Sequence, residues 1–391
     1  MKLKYLIKKI KVISLLKYTA IALIFIMFPV CKSSAYESTQ HMINNDEVGL
    51  EIEKIYNLRC SALKTGDYSA LNNYYDISKT SGKYALEHEI KRVKYLKDWS
   101  SQRNIEFKDI KSTVKLKKII PSDNVLKLIL EESYKFDYSY KNDQSTIPNS
   151  FGIGVRHTAK LIKKNERWII LSDWYTDCFE DSLQFYSSNL NCKFNSSKNT
   201  LYSIENFIDI AKHNKSFYHR EKAAAYADKY CGAAWGSSNN FKYNKKYNDY
   251  NGLGGDCTNF ISQVLGDKEG GSMPINNIWH SGTRSWSNAD GLKNYLLQSG
   301  RGTIIKIGSF NELTNSQFNM TDDIANRLQI GDLIAYEKGR GNIDHFAVIT
   351  GFDSHRYPLV NSHTTDRYHV PWDLGWRNKN IRFFLIHIND Y

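Results

Sequence analysis

GGDCTNFISQ, residues 254–263, places an acid and a thiol at the first turn of what reads as an amphipathic helix. Phe260, Ile261, Val264 and Leu265 recur at helical spacing and make one apolar stripe, so the segment predicts a helix laid on a core. Asp256 is a favoured N-cap residue, and its carboxylate is expected to accept from the backbone N–H groups of Thr258 and Asn259. Cys257 then stands where the positive end of the helix favours a thiolate. Gly254 and Gly255 let the backbone approach closely and leave room for a substrate. A buried structural cysteine fits the same residues, since free thiols are among the most buried side chains. The rest of the chain must supply a base if this thiol is a nucleophile.

Downstream the pattern turns to strands: GDLIAYEK (331–338), DHFAVITGF (344–352), PLVNSHTTD (358–366) and IRFFLIHI (381–388). His345 opens the second of these and is the candidate base. Asn361 and His363 lie on the third and share one face by period two, a face that also carries His345 if the register suits. A Cys, a His and an orienting amide or imidazole are the parts of cysteine-dependent acyl transfer. Asp344 is expected to cap a turn. Upstream, YHREKAAAYADKYCGAAWG (218–236) predicts a helix through its alanine run, and a further helix is expected near Asp290 to Leu297. Trp279, Trp286, Trp372 and Trp376 are large core residues first, with a substrate groove as the second reading.

The first half has its own pattern. Helices are expected from Glu47 to about Leu63 and from Tyr84 to about Trp99, followed by strands at Ile105–Leu116, Val125–Tyr138, Gly152–Lys163 and Arg167–Trp174. Helices followed by an antiparallel run predict an α+β layer. By element order this layer resembles a cystatin-like or nuclear-transport-factor-like domain. Residues 178–215, rich in Ser, Asn and Lys, read as a linker, with a short helix in LYSIENFIDIAKHN (201–214). The expected organisation is therefore a signal peptide at 1–35, an accessory domain at 46–177, the linker, and a second α+β domain at 216–391.

Lysines ahead of the run YTAIALIFIMFPV, then Ser33 and Ala35 at the small positions a signal peptidase prefers, read as an export signal. Its seven lysines and absent acids reduce the formal charge from +12 to +5 (12 − 7) in the mature chain. From His219 onward there are 19 Lys+Arg against 17 Asp+Glu, and no basic stripe interleaved with aromatics. That argues against nucleic acid as a partner. A membrane is expected as a partner only through an uncleaved leader, and the protein is expected to be secreted or cell-wall associated. Five cysteines follow the leader, an odd number that leaves at least one free thiol. Cys178 and Cys192 are expected to pair across a short polar segment. Without a C-x-x-C pair a structural zinc is not expected, and no cofactor is implied.

Taken together, GGDCTNFISQ, WHSGTRSW, GDLIAYE, DHFAVITG and PLVNSHTTDRYHVPW resemble the "Putative amidase domain" family of secreted bacterial proteins, over roughly residues 217–389. The order Cys, His, polar group is more distantly similar to the NlpC-type and CHAP-type cell-wall hydrolases with their papain-like fold. The resemblance implies that Cys257 is the nucleophile, that His345 is the base, and that Asn361 takes the orienting place, with His363 competing for it. It implies an exported cysteine amidase or peptidase acting on a cell-wall peptide or peptidoglycan. The rival reading is a non-catalytic wall-binding or structural protein that keeps the fold.

Overall fold

Two long helices open the described chain because their apolar residues fall on one side. Helix α1 (Asn45–Thr65) buries Ile52, Ile55 and Tyr56, and α2 (Thr80–Gln102) buries Ile90, Val93 and Leu96. Both cover a run of strands, β1 (Ile105–Ser122), β2 (Val125–Tyr140), β3 (Asn149–Lys164) and β4 (Arg167–Tyr175). The β3–β4 turn sets Asn165 and Glu166 at φ 47° and 60°, the pair of left-handed residues that a two-residue hairpin requires. The computed structural model describes residues 45–143, 147–187, 218–314, 327–376 and 380–390. The leader, Cys192 and the helix expected at 201–214 lie outside them, as does most of the 178–215 segment. Among the described residues no helix is long and apolar enough to cross a membrane.

The second half supplies helices α3 (Arg220–Tyr230), α4 (Cys257–Gly266) and α5 (Ala289–Gln298). Its strands are β5 (Gly302–Gly308), β6 (Leu333–Glu337), β7 (Ile343–Phe352), β8 (Pro358–Ser362), β9 (Asp366–Pro371) and β10 (Arg382–Ile388). All strand pairs are antiparallel, in the order β1-β2-β3-β9-β8-β7-β6-β10-β5, with β4 also on β3. The fold is thus α+β around one large antiparallel sheet. Strand β3 joins its two halves by pairing Gly152, Ile153 and Gly154 with Tyr368, Arg367 and Asp366. Gly152 and Gly154 let the loop at 233–235 lie against β3, because a Cβ there would stand 2.0 Å from the Trp235 carbonyl oxygen and 2.3 Å from the Ala233 carbonyl carbon.

Three cores follow from this plan. One lies between α1, α2 and β1–β4. The second lies under α3, α4 and α5, and includes Phe346 and Val348 of β7. The third, on the other face of the same strands, gathers Tyr336, Ala347, Ile349, Val360, Trp372 and Trp376. Inside the first core sits a buried ionic network. Arg59 meets Asp173 at 2.6 Å, Arg92 meets Glu89 at 2.8 Å and Asp177 at 3.1 Å, and His157 lies between Glu132 (3.0 Å) and Asp173 (2.9 Å).

Candidate active site

Cys257 is the first residue of α4, whose stripe of Phe260, Ile261, Val264 and Leu265 is buried as the spacing predicts. The N-cap differs from expectation. The Asp256 carboxylate makes no bond to the helix N–H groups. One oxygen accepts from Tyr250 N–H (3.0 Å) and the Asn259 amide (2.8 Å), and the other meets His363 Nδ1 at 2.6 Å. The cap comes instead from across the sheet: Thr364 Oγ1 accepts from the N–H of Asp256 (2.5 Å) and of Cys257 (3.1 Å). Gly255, at φ 115°, makes room for it, since a Cβ there would stand 3.1 Å from the Thr364 side chain. Thr364 and Thr365 carry φ values of 64° and 124°, a strained conformation for β-branched residues, held at the thiol-bearing turn.

The thiol itself lies against strand β7. The backbone of Phe346, the residue after His345, faces the Cys257 sulfur and favours its charged form, and Thr258 Oγ1 lies 3.8 Å from it. The structure therefore brings Cys257 to within one peptide of His345. Between His345 and Ile349 the strand alternates regularly, with Phe346 and Val348 toward α4 and Ala347 and Ile349 toward the third core. The His345 ring follows the latter set. It stacks on Trp376 (centroids 5.0 Å, 30° between planes) and faces Tyr336 at 5.5 Å. Its Nε2 is buried without a hydrogen-bond partner among the described residues.

Asn361 and His363 do share a face, as period two requires, but it is the other one. Asn361 pairs across from Val348. Its Oδ1 accepts from Thr350 Oγ1 (2.8 Å) and His369 N–H (2.7 Å), and its Nδ2 donates to Asp228 (2.8 Å). His363 stacks on Phe260 (3.8 Å, 13°) and spends its nitrogens on Asp256 and on the Tyr230 carbonyl (2.8 Å). Neither orients His345: the register puts them on the face covered by α3 and α4. His363 instead braces the turn that carries Cys257.

Burial decides the protonation of the site. It pushes the Cys257 thiol up, against the hydrogen bonds from Phe346 and Thr258, and the Asp256 charge adds to the rise. Burial, with Arg367 and Lys338 nearby, holds His345 well below the ordinary imidazole range. Both directions favour a neutral thiol and a neutral imidazole at rest, on opposite faces of β7, and not the thiolate expected from the helix end. At 8% and 6% exposure, desolvation of both charged forms outweighs the first turn of α4.

Other expected residues find structural places. Trp279, Trp286, Trp372 and Trp376 are all buried, so they build cores and not an open groove. Asp344 closes the β6–β7 turn, accepting from Lys338 N–H (2.9 Å) and pairing with Arg340. Cys60, Cys178, Cys231 and Cys257 are buried free thiols. No group of three His, Cys, Asp or Glu side chains among the described residues is placed to hold a metal ion. Thr364 and the Asp256–His363 pair were not singled out as a unit from sequence, although His363 and Thr364 stand side by side in the turn after β8.

Comparison with known proteins agrees with the motifs. Residues 217–386 match the model of the family described as "Putative amidase domain". The uncharacterized protein YhbB of Bacillus subtilis (strain 168) is 28% identical over 208 residues, covering 48% of this chain and 57% of that protein. The chain thus aligns with little more than half of that relative's length. Among solved structures, the intermembrane space region of chloroplast protein ARC6 matches 34% of this chain and 96% of its own, with 9% identity and a TM-score of 0.25. The Kfla4162 protein from Kribbella flavida matches 34% and 91%, with 7% identity and a TM-score of 0.23. Both scores lie far below the level of a shared fold.

Proposed function

We propose that the chain is an exported cysteine amidase of papain-like plan that cleaves an amide bond in peptidoglycan or its stem peptides, with Cys257 as nucleophile and His345 as base. The observation that carries this is the buried thiol at the start of α4, set against the Phe346 backbone next to a histidine whose Nε2 is unpartnered among the described residues. The amidase-type match over 217–386 supports it. Because both groups rest neutral, the proton moves as the bond forms. For this His345 must turn its ring from the Trp376 face to the thiol; it then takes the proton as sulfur attacks the carbonyl carbon and gives it to the departing amine, leaving a thioester. Water, deprotonated by His345, hydrolyses the thioester, releasing the carboxylic acid and restoring the thiol. The Cys257 N–H is the natural oxyanion donor, and a substrate carbonyl must displace Thr364 Oγ1 to reach it.

The leader at 1–35, the cystatin-like or nuclear-transport-factor-like reading of the first α+β layer, and the wall as location belong to the same proposal. A non-catalytic wall-binding protein is the second reading, favoured by the inward turn of the His345 ring. Turnover of a stem-peptide amide by the mature protein, lost in Cys257→Ala and in His345→Ala while both stay folded, supports the amidase. Turnover unchanged in Cys257→Ala rejects the nucleophile, and no turnover by the parent protein on any wall fraction favours the second reading.

A further inference from the structure

We propose that the N-terminal helical layer is part of the active site: through Asp373 it positions the Trp376 ring that roofs His345. This deepens the amidase reading and rests on it for its catalytic meaning. Trp376 ends the short segment after β9, where its N–H donates to the Asp373 carbonyl (3.0 Å) and its ring stacks on Tyr336 (4.4 Å). Asp373, which takes Tyr357 OH at 2.8 Å on one oxygen, is held on the other from α2, some 270 residues earlier in the chain. On its last turn, Arg103 pairs with the Asp373 carboxylate and Trp99 Nε1–H donates to it at 3.2 Å. One turn earlier, Tyr95 OH accepts from Gly375 N–H at 2.6 Å. Asp373 is fully buried and Arg103 nearly so, so their attraction is poorly screened and the geometry is fixed. A ring held in this way sets the plane of His345 and keeps water from it.

The stretch that matches the amidase family begins at residue 217 and contains none of the α2 residues. The clamp therefore gives the first layer a role in the second half's chemistry. Asp373, Tyr95, Trp99 and Arg103 touch no reacting atom and act only through Trp376, as positioning residues.

The test uses the full mature chain. Arg103→Gln with Asp373→Asn removes both charges together and leaves no unpaired buried ion. Tyr95→Phe removes one hydrogen bond and serves if the double variant does not fold. The readouts are the titration of the His345 ring by histidine-labelled NMR and the pH profile of turnover. We expect the loosened roof to admit water and raise the His345 midpoint toward the free imidazole value. Turnover should fall by roughly tenfold to a hundredfold in kcat with KM little changed, as displacement of a catalytic group does. Tyr95→Phe should move both readouts the same way by less, and Asp373→Glu should restore part of the loss when Arg103 is kept. A His345 titration that is unchanged in every folded variant overturns the proposal. A shifted titration in a chain that hydrolyses no amide leaves the clamp standing and removes the amidase reading.

Discussion

Replacing His363 with phenylalanine keeps the aromatic stack on Phe260 and deletes both N–H donors, which isolates what the histidine does for the Cys257 turn. Two buried acceptors are then stranded. The Asp256 carboxylate keeps Tyr250 N–H and the Asn259 amide on its other oxygen, so it loses one charge-assisted hydrogen bond, about 1.5–3 kcal/mol. The Tyr230 carbonyl loses its side-chain donor inside the protein, which costs about 1–3 kcal/mol. The sum, about 2.5–6 kcal/mol, is a large part of a typical stability of about 5–15 kcal/mol. Urea unfolding followed by tryptophan fluorescence measures it. A cycle with Asp256→Asn isolates the pair, and the double variant should cost less than the two singles together by about 1.5 kcal/mol or more. A cost below about 1 kcal/mol for His363→Phe, or strict additivity in the cycle, refutes the bracing role.

Thr364→Ala should destabilise the chain by about 1 kcal/mol in the same assay, the usual loss on removing a helix cap, although this cap comes from the turn between β8 and β9. The Cys257 thiol, raised by burial, should alkylate with an inflection above the roughly 8.5 of a free cysteine. An inflection below neutrality in iodoacetamide kinetics would contradict the neutral resting pair. Burial alone would depress His157, but the Asp173 and Glu132 carboxylates hold it up to about 9. A raised native value means that its stabilisation is complete below about 6.5 and disappears as pH rises through about 9, a loss on the order of 3 kcal/mol. Urea midpoints between those limits should fall with pH in the parent and stay flatter in His157→Gln.

The elements with clean periodicity were legible. The two opening helices, the β1–β4 run and the Cys257 helix lie where their patterns put them, and the alternating strands of the second half follow. Strand β9 was hidden because the turn before it is built from Thr364 and Thr365, β-branched residues that carry no turn signal. The β3–β9 pairing left no mark of its own, and the two glycines inside β3 answer to the close approach of the loop at 233–235. Register explains why His345 and the pair Asn361 and His363 part company. A bulge between Glu337 and Tyr336 on their pairing with β7, and the parity it sets, decide which face each side chain takes, and sequence does not carry that parity. The ionic network did leave a signal. Arg59 stands seven residues after Ile52 on the same helical stripe, so its burial was written in the spacing while its partners, on strands far along the chain, were not.

The central claim is that Cys257 hydrolyses an amide, and mass spectrometry of purified cell wall digested in heavy-oxygen water tests it most directly. The account predicts fragments carrying a new amine end and a new carboxylate bearing one heavy oxygen, formed by the mature protein and absent with Cys257→Ala. Labelled fragments formed equally by Cys257→Ala, or an undigested wall in the presence of the folded parent protein, would contradict it.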